Sequence, residues 1–170
     1  MLRRLVTGAD MGKFSIDYSQ DIDTVYRFMT DPDAIKKRSE ALGEKNIRVQ
    51  VDEGGGTKTI TATRDVESDL PGFAKRLFSS TNTIIERLEW RDAGEKKTCK
   101  SHIDVLKTPG KIDSDITISP KGSGCTYNIE FEVSAKVPLI RKKLEEFVAK
   151  TTLEGIREQH EYNQRELNAR

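Results

Sequence analysis

The stretch Cys125-Thr-Tyr-Asn-Ile-Glu-Phe-Glu-Val-Ser-Ala-Lys-Val137 alternates without a break. Cys125, Tyr127, Ile129, Phe131, Val133, Ala135 and Val137 share one face, and Thr126, Asn128, Glu130, Glu132, Ser134 and Lys136 share the other. Side chains of a strand point to opposite sides in turn, so this run predicts a long strand with one dry and one wet face. Pro138 ends it. Behind the proline, Ile140, Leu144, Phe147, Val148, Thr151 and Gly155 recur at helical spacing and predict a core-facing stripe on a helix that reaches about Leu167. A helix of that length spans roughly 45 Å, enough to cross a whole sheet.

Working outward, extended runs are predicted at Lys13–Tyr18, Ile47–Val51, Thr57–Arg64, Asn82–Arg91, Lys97–Lys107 and Lys111–Ser119. Their breaks are Gly54-Gly-Gly, Asp92-Ala-Gly-Glu, Thr108-Pro-Gly and Lys121-Gly-Ser-Gly. Two short helices fit between the first two strands. Asp21 caps one, and Asp31-Pro32 both ends it and starts the second, since proline suits a first helical turn. Residues 69–80 break the strand rhythm, with Phe73, Leu77 and Phe78 at helical spacing. The sum is an α+β chain: one strand, two short helices, six further strands and a long C-terminal helix.

Composition fits one such domain. The chain has 170 residues, 35% apolar and 34% charged, with 29 lysines and arginines against 28 acids. No global positive excess exists to drive nucleic-acid binding, and no apolar run is long enough for a membrane span. The basic clusters Lys36-Lys37-Arg38 and Arg141-Lys142-Lys143 read as solvated helix faces. Residues 1–11 read as a flexible extension, with Arg3-Arg4 a poor export signal and Met11 an alternative start; residues 12–170 form the domain. Two cysteines, Cys99 and Cys125, fit a reducing, cytoplasmic setting and a role as core filler.

Four segments resemble the START-like superfamily, also called SRPBCC or helix-grip, and within it an uncharacterised bacterial family. They are Phe14-Ser-Ile-Asp-Tyr, Ala41-Leu-Gly, Ile85 to Trp90, and Lys136-Val-Pro-Leu-Ile-Arg-Lys-Lys-Leu-Glu-Glu. The superfamily includes plant pollen allergens, lipid-transfer domains and polyketide cyclases. What the resemblance implies is the helix-grip fold, a curved seven-stranded antiparallel sheet wrapped around a long C-terminal helix with two short helices after the first strand, and an internal cavity for apolar molecules. Mapped onto the apolar faces, its wall is expected to include Ile84, Glu86, Leu88, Trp90, Ile103, Ile116, Ile118, Tyr127, Ile129, Phe131, Leu144, Phe147, Val148 and Thr151.

Signals for chemistry are sparse. His102 and His160 read as surface histidines, and the His160 helix lacks the second histidine of a zinc-protease site, so no metal is expected. Gly54-Gly-Gly-Thr-Lys-Thr lacks the earlier glycine and following helix of a phosphate loop. Ser79, Ser80 and Ser123 sit in no nucleophile motif, so no catalytic residue and no cofactor are assigned. Glu86 is the exception worth following. With Ile84, Leu88 and Trp90 it projects inward; in the opposite parity Ile85, Arg87 and Glu89 do. Inside, it is either a rim carboxylate paired with a basic side chain or a protonated anchor for a ligand. Leu153, Ile156, His160 and Leu167 form a weaker second ridge on the last helix, for the leader segment or a homodimer partner.

Three functions remain open at this level. The first is binding of a small apolar or amphipathic molecule, with residues 69–80 as lid. The second is a protein-interaction module of the START-like co-chaperone type. The third is a cyclase-like enzyme using Tyr127, Glu86 or Ser101. A cluster of convergent polar groups in the cavity separates the third from the first.

Overall fold

A computed structural model describes residues 10–170. The chain runs β1 (Asp10–Tyr18), α1 (Ile22–Thr30), α2 (Pro32–Ala41), β2 (Lys45–Gly54), β3 (Thr57–Glu67), β4 (Thr81–Ala93), β5 (Lys96–Val105), β6 (Gly110–Lys121), β7 (Gly124–Ala135) and α3 (Arg141–Asn168). The strands form one curved antiparallel sheet in the order β1-β7-β6-β5-β4-β3-β2. Six of the strands are therefore a meander, while β1 crosses to the far edge and pairs with the last strand, Phe14 opposite Ile129.

Local chemistry accounts for the breaks. Asp21 accepts the Thr24 N–H at 2.8 Å, and Asp31 accepts the Asp33 N–H at 2.9 Å with Pro32 in the first turn of α2. Gly55 and Gly56 both adopt positive φ in a two-residue hairpin closed by Gly54 and Thr57, the conformation that favours glycine. Along β7, Cys125, Tyr127, Ile129, Phe131, Val133 and Ala135 are all buried, as the alternation requires. At the edge, a Cβ on Gly12 would lie 2.1 Å from the Phe131 ring, so the absent side chain of β1 makes room for the aromatic of β7.

The core has two centres. One gathers Val25, Phe28 and Ile35 of α1 and α2 against Ile60, Trp90, Ile116, Ile118 and Tyr127 of the sheet. The other holds Ile112, Phe131 and Val133, with Val148, Leu153 and Ile156 of α3 packed on them.

Six readings of the sequence need correction. Residues 10 and 11, assigned to the extension, open β1 because the long β7 offers partners as far as Val133 and Glu132; residues 1–9 lie outside the described residues. The last helix begins at Arg141, because Leu139 takes a left-handed φ of 69° after the proline. Residues 69–80 form successive turns, with the Phe78 N–H bonded to the Ala74 carbonyl, rather than a helix. The apolar stripe of α3 is also divided. Leu144 is fully buried, but Phe147 is only half-buried and Thr151 is exposed. The ridge read as outward-facing is the one pressed onto the sheet: His160 and Leu167 are buried, and Leu153 and Ile156 pack into the core. A helix over a hollow sheet touches protein on two faces, one on the strands and one beside the void, and sequence periodicity cannot rank them. Finally, Arg38 leaves the solvated cluster formed by Lys36 and Lys37 and turns inward.

A polar-ended cavity under the C-terminal helix

Between the sheet and α3 lies a cavity of about 590 Å³. Its sheet wall is apolar, with Leu88, Ile103, Ile112, Ile116 and Ile129 in front of the helix residues Phe147, Val148 and Ile156. Leu70 and Phe78 from the β3–β4 connection close one side, and Phe73 of the same segment meets the Phe147 ring edge-on at 6.0 Å. The lining reaches solvent where the exposed Asp69, Thr151 and Glu154 border it.

Of the residues expected in the wall, Ile84, Glu86, Leu88, Trp90, Ile103, Ile116, Tyr127, Ile129, Phe147, Val148 and Thr151 line this cavity. Ile118, Phe131 and Leu144 do not. Ile118 is sealed in the core beneath α1 and α2, Phe131 fills the space over Gly12, and Leu144 is fully buried at the start of α3. These positions share the correct parity, but the short helices and the crossing of β1 fill the volume beside them.

The polar groups of the cavity were mostly missed. Arg64 of β3 shares a face with the buried Ile60 and Ala62, so strand parity alone predicts that it points inward. It is held between two carboxylates, Nε 3.1 Å from Glu44 and Nη1 3.0 Å from Glu86. The Glu86 contact is a hydrogen bond, whereas the Glu44 contact is an ion pair without hydrogen-bond alignment. Side-chain exposures of 8%, 11% and 17% for Arg64, Glu44 and Glu86 make this a buried trio. Glu86 thus projects inward, as the first parity requires, and is a paired carboxylate.

Arg38 reaches the same cavity from α2. Among the described residues it has no carboxylate within ion-pair distance; its side-chain hydrogen bond is a long one, 3.4 Å from Nη1 to Asn163 Oδ1. Burial pulls its pKa down, and the charge of Glu86 opposes that. Beside it, Tyr18 Oη and His160 Nδ1 share a hydrogen bond of 2.5 Å, and the His160 ring lies against Phe14 and Tyr127. His160 was read as a surface residue; its ring is instead a core group, because the face of α3 it occupies meets β1 and β7. His102 sits on the outer sheet face between Asp104 and Asp113. Among the described residues the Trp90 indole N–H has no partner. Cys99 and Cys125 are free and buried on β5 and β7 with β6 between them, and burial pushes the Cys125 thiol up to about 11.

The buried imidazole sets a pH dependence. Burial, assisted by the Arg38 charge, lowers the His160 pKa from 6.5 to about 3. The unfolded chain therefore binds a proton below about 6.5 that the native state refuses until about 3. Stability from this group is complete above that window and falls as pH drops through it, at up to about 1.4 kcal/mol per pH unit. Urea unfolding between pH 6.5 and 4 is expected to show a flatter decline for His160→Gln than for the wild type; parallel curves would remove His160 from the account.

Comparisons with known proteins place this geometry. The family described as "Protein of unknown function (DUF2505)" matches residues 13–166. No curated protein matches the sequence. A START superfamily protein from Mycobacterium smegmatis superposes with a TM-score of 0.61 at 15% identity, over 94% of this chain and 99% of that one. An uncharacterized protein from Rhizobium leguminosarum gives 0.61 at 11% identity, over 96% and 98%. Norcoclaurine synthase from Thalictrum flavum, solved with dopamine and hydroxybenzaldehyde, gives 0.54 at 12% identity, over 100% and 96%. At such identities the likeness shows the fold, which is START-like.

Proposed function

The chain belongs to DUF2505, a family of unknown function, and from that premise we propose that it binds or carries a small amphipathic molecule between the sheet and α3. One observation carries the reading: the cavity of about 590 Å³ has an apolar wall and, projecting into it, an arginine that no carboxylate among the described residues neutralises directly. Pockets of roughly 300–1,000 Å³ that are mostly apolar with a few placed polar groups are the usual form of small-molecule sites. The apolar wall takes the body of the molecule. Arg38 takes an acidic head, because a guanidinium offers two parallel N–H donors to a carboxylate.

A cyclase-like enzyme is the second reading, since Tyr127, Glu86 and Ser101 line the same space. Their state argues for carriage instead. Glu86 is held by Arg64, burial raises the Tyr127 phenol well above its usual range, and His160 is neutral. Neither the phenol nor the imidazole is poised to exchange a proton near neutral pH. Turnover of a recovered ligand would favour the enzyme.

Native mass spectrometry of the purified protein tests for a co-purifying small molecule. In solution, an environment-sensitive apolar dye is expected to bind and to be displaced by long-chain fatty acids. Ile129 is buried in the floor of the cavity. Ile129→Trp is expected to weaken dye binding about tenfold or more, at an overpacking cost of about 1–3 kcal/mol in stability. Unchanged affinity in a folded variant would move the site elsewhere. No binding by the wild type would favour the interaction-module alternative.

A further inference from the structure

The antiparallel order of the sheet brings three connecting segments to one end of the molecule. Glu67 pairs with Thr81, Ile84 with Val105, and Gly110 with Ala135, so the β3–β4, β5–β6 and β7–α3 connections all emerge together. These connections with their flanking residues, 68–80, 105–111 and 136–143, contain eight lysines and arginines, Lys75, Arg76, Lys107, Lys111, Lys136, Arg141, Lys142 and Lys143, against one acid, Asp69. The chain as a whole is almost neutral, with 29 basic against 28 acidic residues, so the rest of it carries an excess of acid. All eight cations are exposed. None of them forms an ion pair among the described residues, whereas lysines on the outer sheet face do, as Lys13 with Glu130 and Lys100 with Asp115. Lys143 lies 4.5 Å above the Phe73 ring.

Two large apolar side chains stand among these charges. Leu139 is 105% exposed and Leu106 is 43% exposed. Leu139 and Lys107 both hold a left-handed backbone, φ 69° and 60°, which is costly for residues other than glycine and keeps both tips of the connections in outward-turned loops. Lys136, Arg141 and Lys142 surround one shallow depression together with Val137 and Pro138. The same end carries Leu70, Phe78 and Phe147 of the cavity wall.

From this juxtaposition we infer that this end is a docking surface for an anionic lipid bilayer, with the lysines and arginines over the headgroups and Leu139 and Leu106 inserted among them. A polybasic cluster is attracted by the negative surface potential of anionic lipids, and apolar tips add burial that a soluble polyanion cannot offer. No described helix is long and apolar enough to cross a membrane, which leaves peripheral attachment as the mode for these residues. Of the acids that border the cavity opening, Asp69 belongs to the β3–β4 connection, Glu67 is paired with Lys45 at 2.8 Å, and Glu154 lies on α3. The surface stands independently of what the cavity holds.

Co-sedimentation of the full chain with vesicles tests it. Binding is expected to phosphatidylcholine vesicles containing about a quarter phosphatidylglycerol, to fall about tenfold or more on pure phosphatidylcholine, and to weaken strongly in about 0.5 M salt. The charge reversal Arg141→Glu/Lys142→Glu/Lys143→Glu is expected to reduce binding about tenfold or more. Lys75→Glu/Arg76→Glu, in a separate segment, is expected to do so independently should the first variant fold poorly. Leu139→Ser should lower affinity for vesicles and leave heparin binding unchanged. Lys36→Glu/Lys37→Glu, on exposed α2, should have no effect. Equal sedimentation with neutral and anionic vesicles, or full binding by both charge reversals, would overturn the assignment. So would heparin or duplex DNA bound as tightly as vesicles with no contribution from Leu139, which would make the surface a general polyanion site.

Discussion

Arg64→Met is expected to destabilise the protein by about 3–5 kcal/mol, as removal of one partner from a buried ion pair does. The arginine stands 3.1 Å from Glu44 and 3.0 Å from Glu86, and all three side chains are largely out of water. Methionine fills the volume but leaves two carboxylates facing each other in an apolar wall. Each must then be desolvated without a cation or take up a proton. Replacing the whole trio, Arg64→Met with Glu44→Gln and Glu86→Gln, should recover much of the stability, because the cost lies in the orphaned charges. Arg64→Lys should fall between, since an ammonium cannot bridge two carboxylates as a planar guanidinium does. Equilibrium unfolding in urea at pH 7 measures all four proteins. A change below about 1 kcal/mol for Arg64→Met would mean that water reaches the trio and screens it as at a surface.

Arg38→Met is expected to act in the opposite sense. Arg38 sits in the same wall without a carboxylate in contact, so its removal should leave stability unchanged or raise it. Its effect should appear in binding. A hydrogen-bonded charge pair in a protein interior is worth roughly 2–5 kcal/mol on truncation, so affinity for a long-chain carboxylate should fall at least about thirtyfold. Affinity for the alcohol of the same chain length should hardly move. Calorimetric titration of wild type and variant with the acid and the alcohol separates the two contributions. If the wild type binds acid and alcohol equally, Arg38 anchors nothing. Under the proposed function the two inner arginines would have different roles, Arg64 in holding the wall together and Arg38 in reading what enters.

The architecture was legible because it rests on periodicity. The unbroken alternation of β7, the proline after it and the Asp31-Pro32 junction each specify one local conformation, and the structure follows them. The apolar wall was legible for the same reason, with inward parity placing Ile84, Leu88, Ile103, Ile116 and Ile129. Packing depth was not. Ile118 and Phe131 have the right parity, yet α1, α2 and the Gly12 crossing fill the space in front of them. Parity says which side a residue faces and nothing about how much empty volume lies there. The polar end was hidden for a further reason. Its members come from α2, the start of β2, β3, β4, β7 and α3, and each looks ordinary in its own segment. Arg38 follows two exposed lysines and reads as a third. Arg64 was within reach, since Ile60, Ala62 and Arg64 alternate in plain view. His160 fell on the ridge of α3 that helical spacing ranked second.

The pairing of β1 with β7 has a consequence for biosynthesis. Asp10 is opposite Val133 and Tyr18 is opposite Cys125, so the first strand made is completed only by the last. The six-stranded meander can grow hairpin by hairpin as the chain leaves the ribosome, because each of its strands pairs with the one just before it. The first strand must wait, its apolar residues unsatisfied, until more than a hundred further residues have been translated. Non-local closure of this kind is slow and exposes strand edges while it is pending. During that interval α1 and α2 are present, but the part of the inner face that α3 covers is still bare. The cavity comes into being only as β1 and α3 arrive together, with Gln164 donating to the Asp17 carbonyl and Tyr18 meeting His160, so that this hollow is the last part of the fold to close.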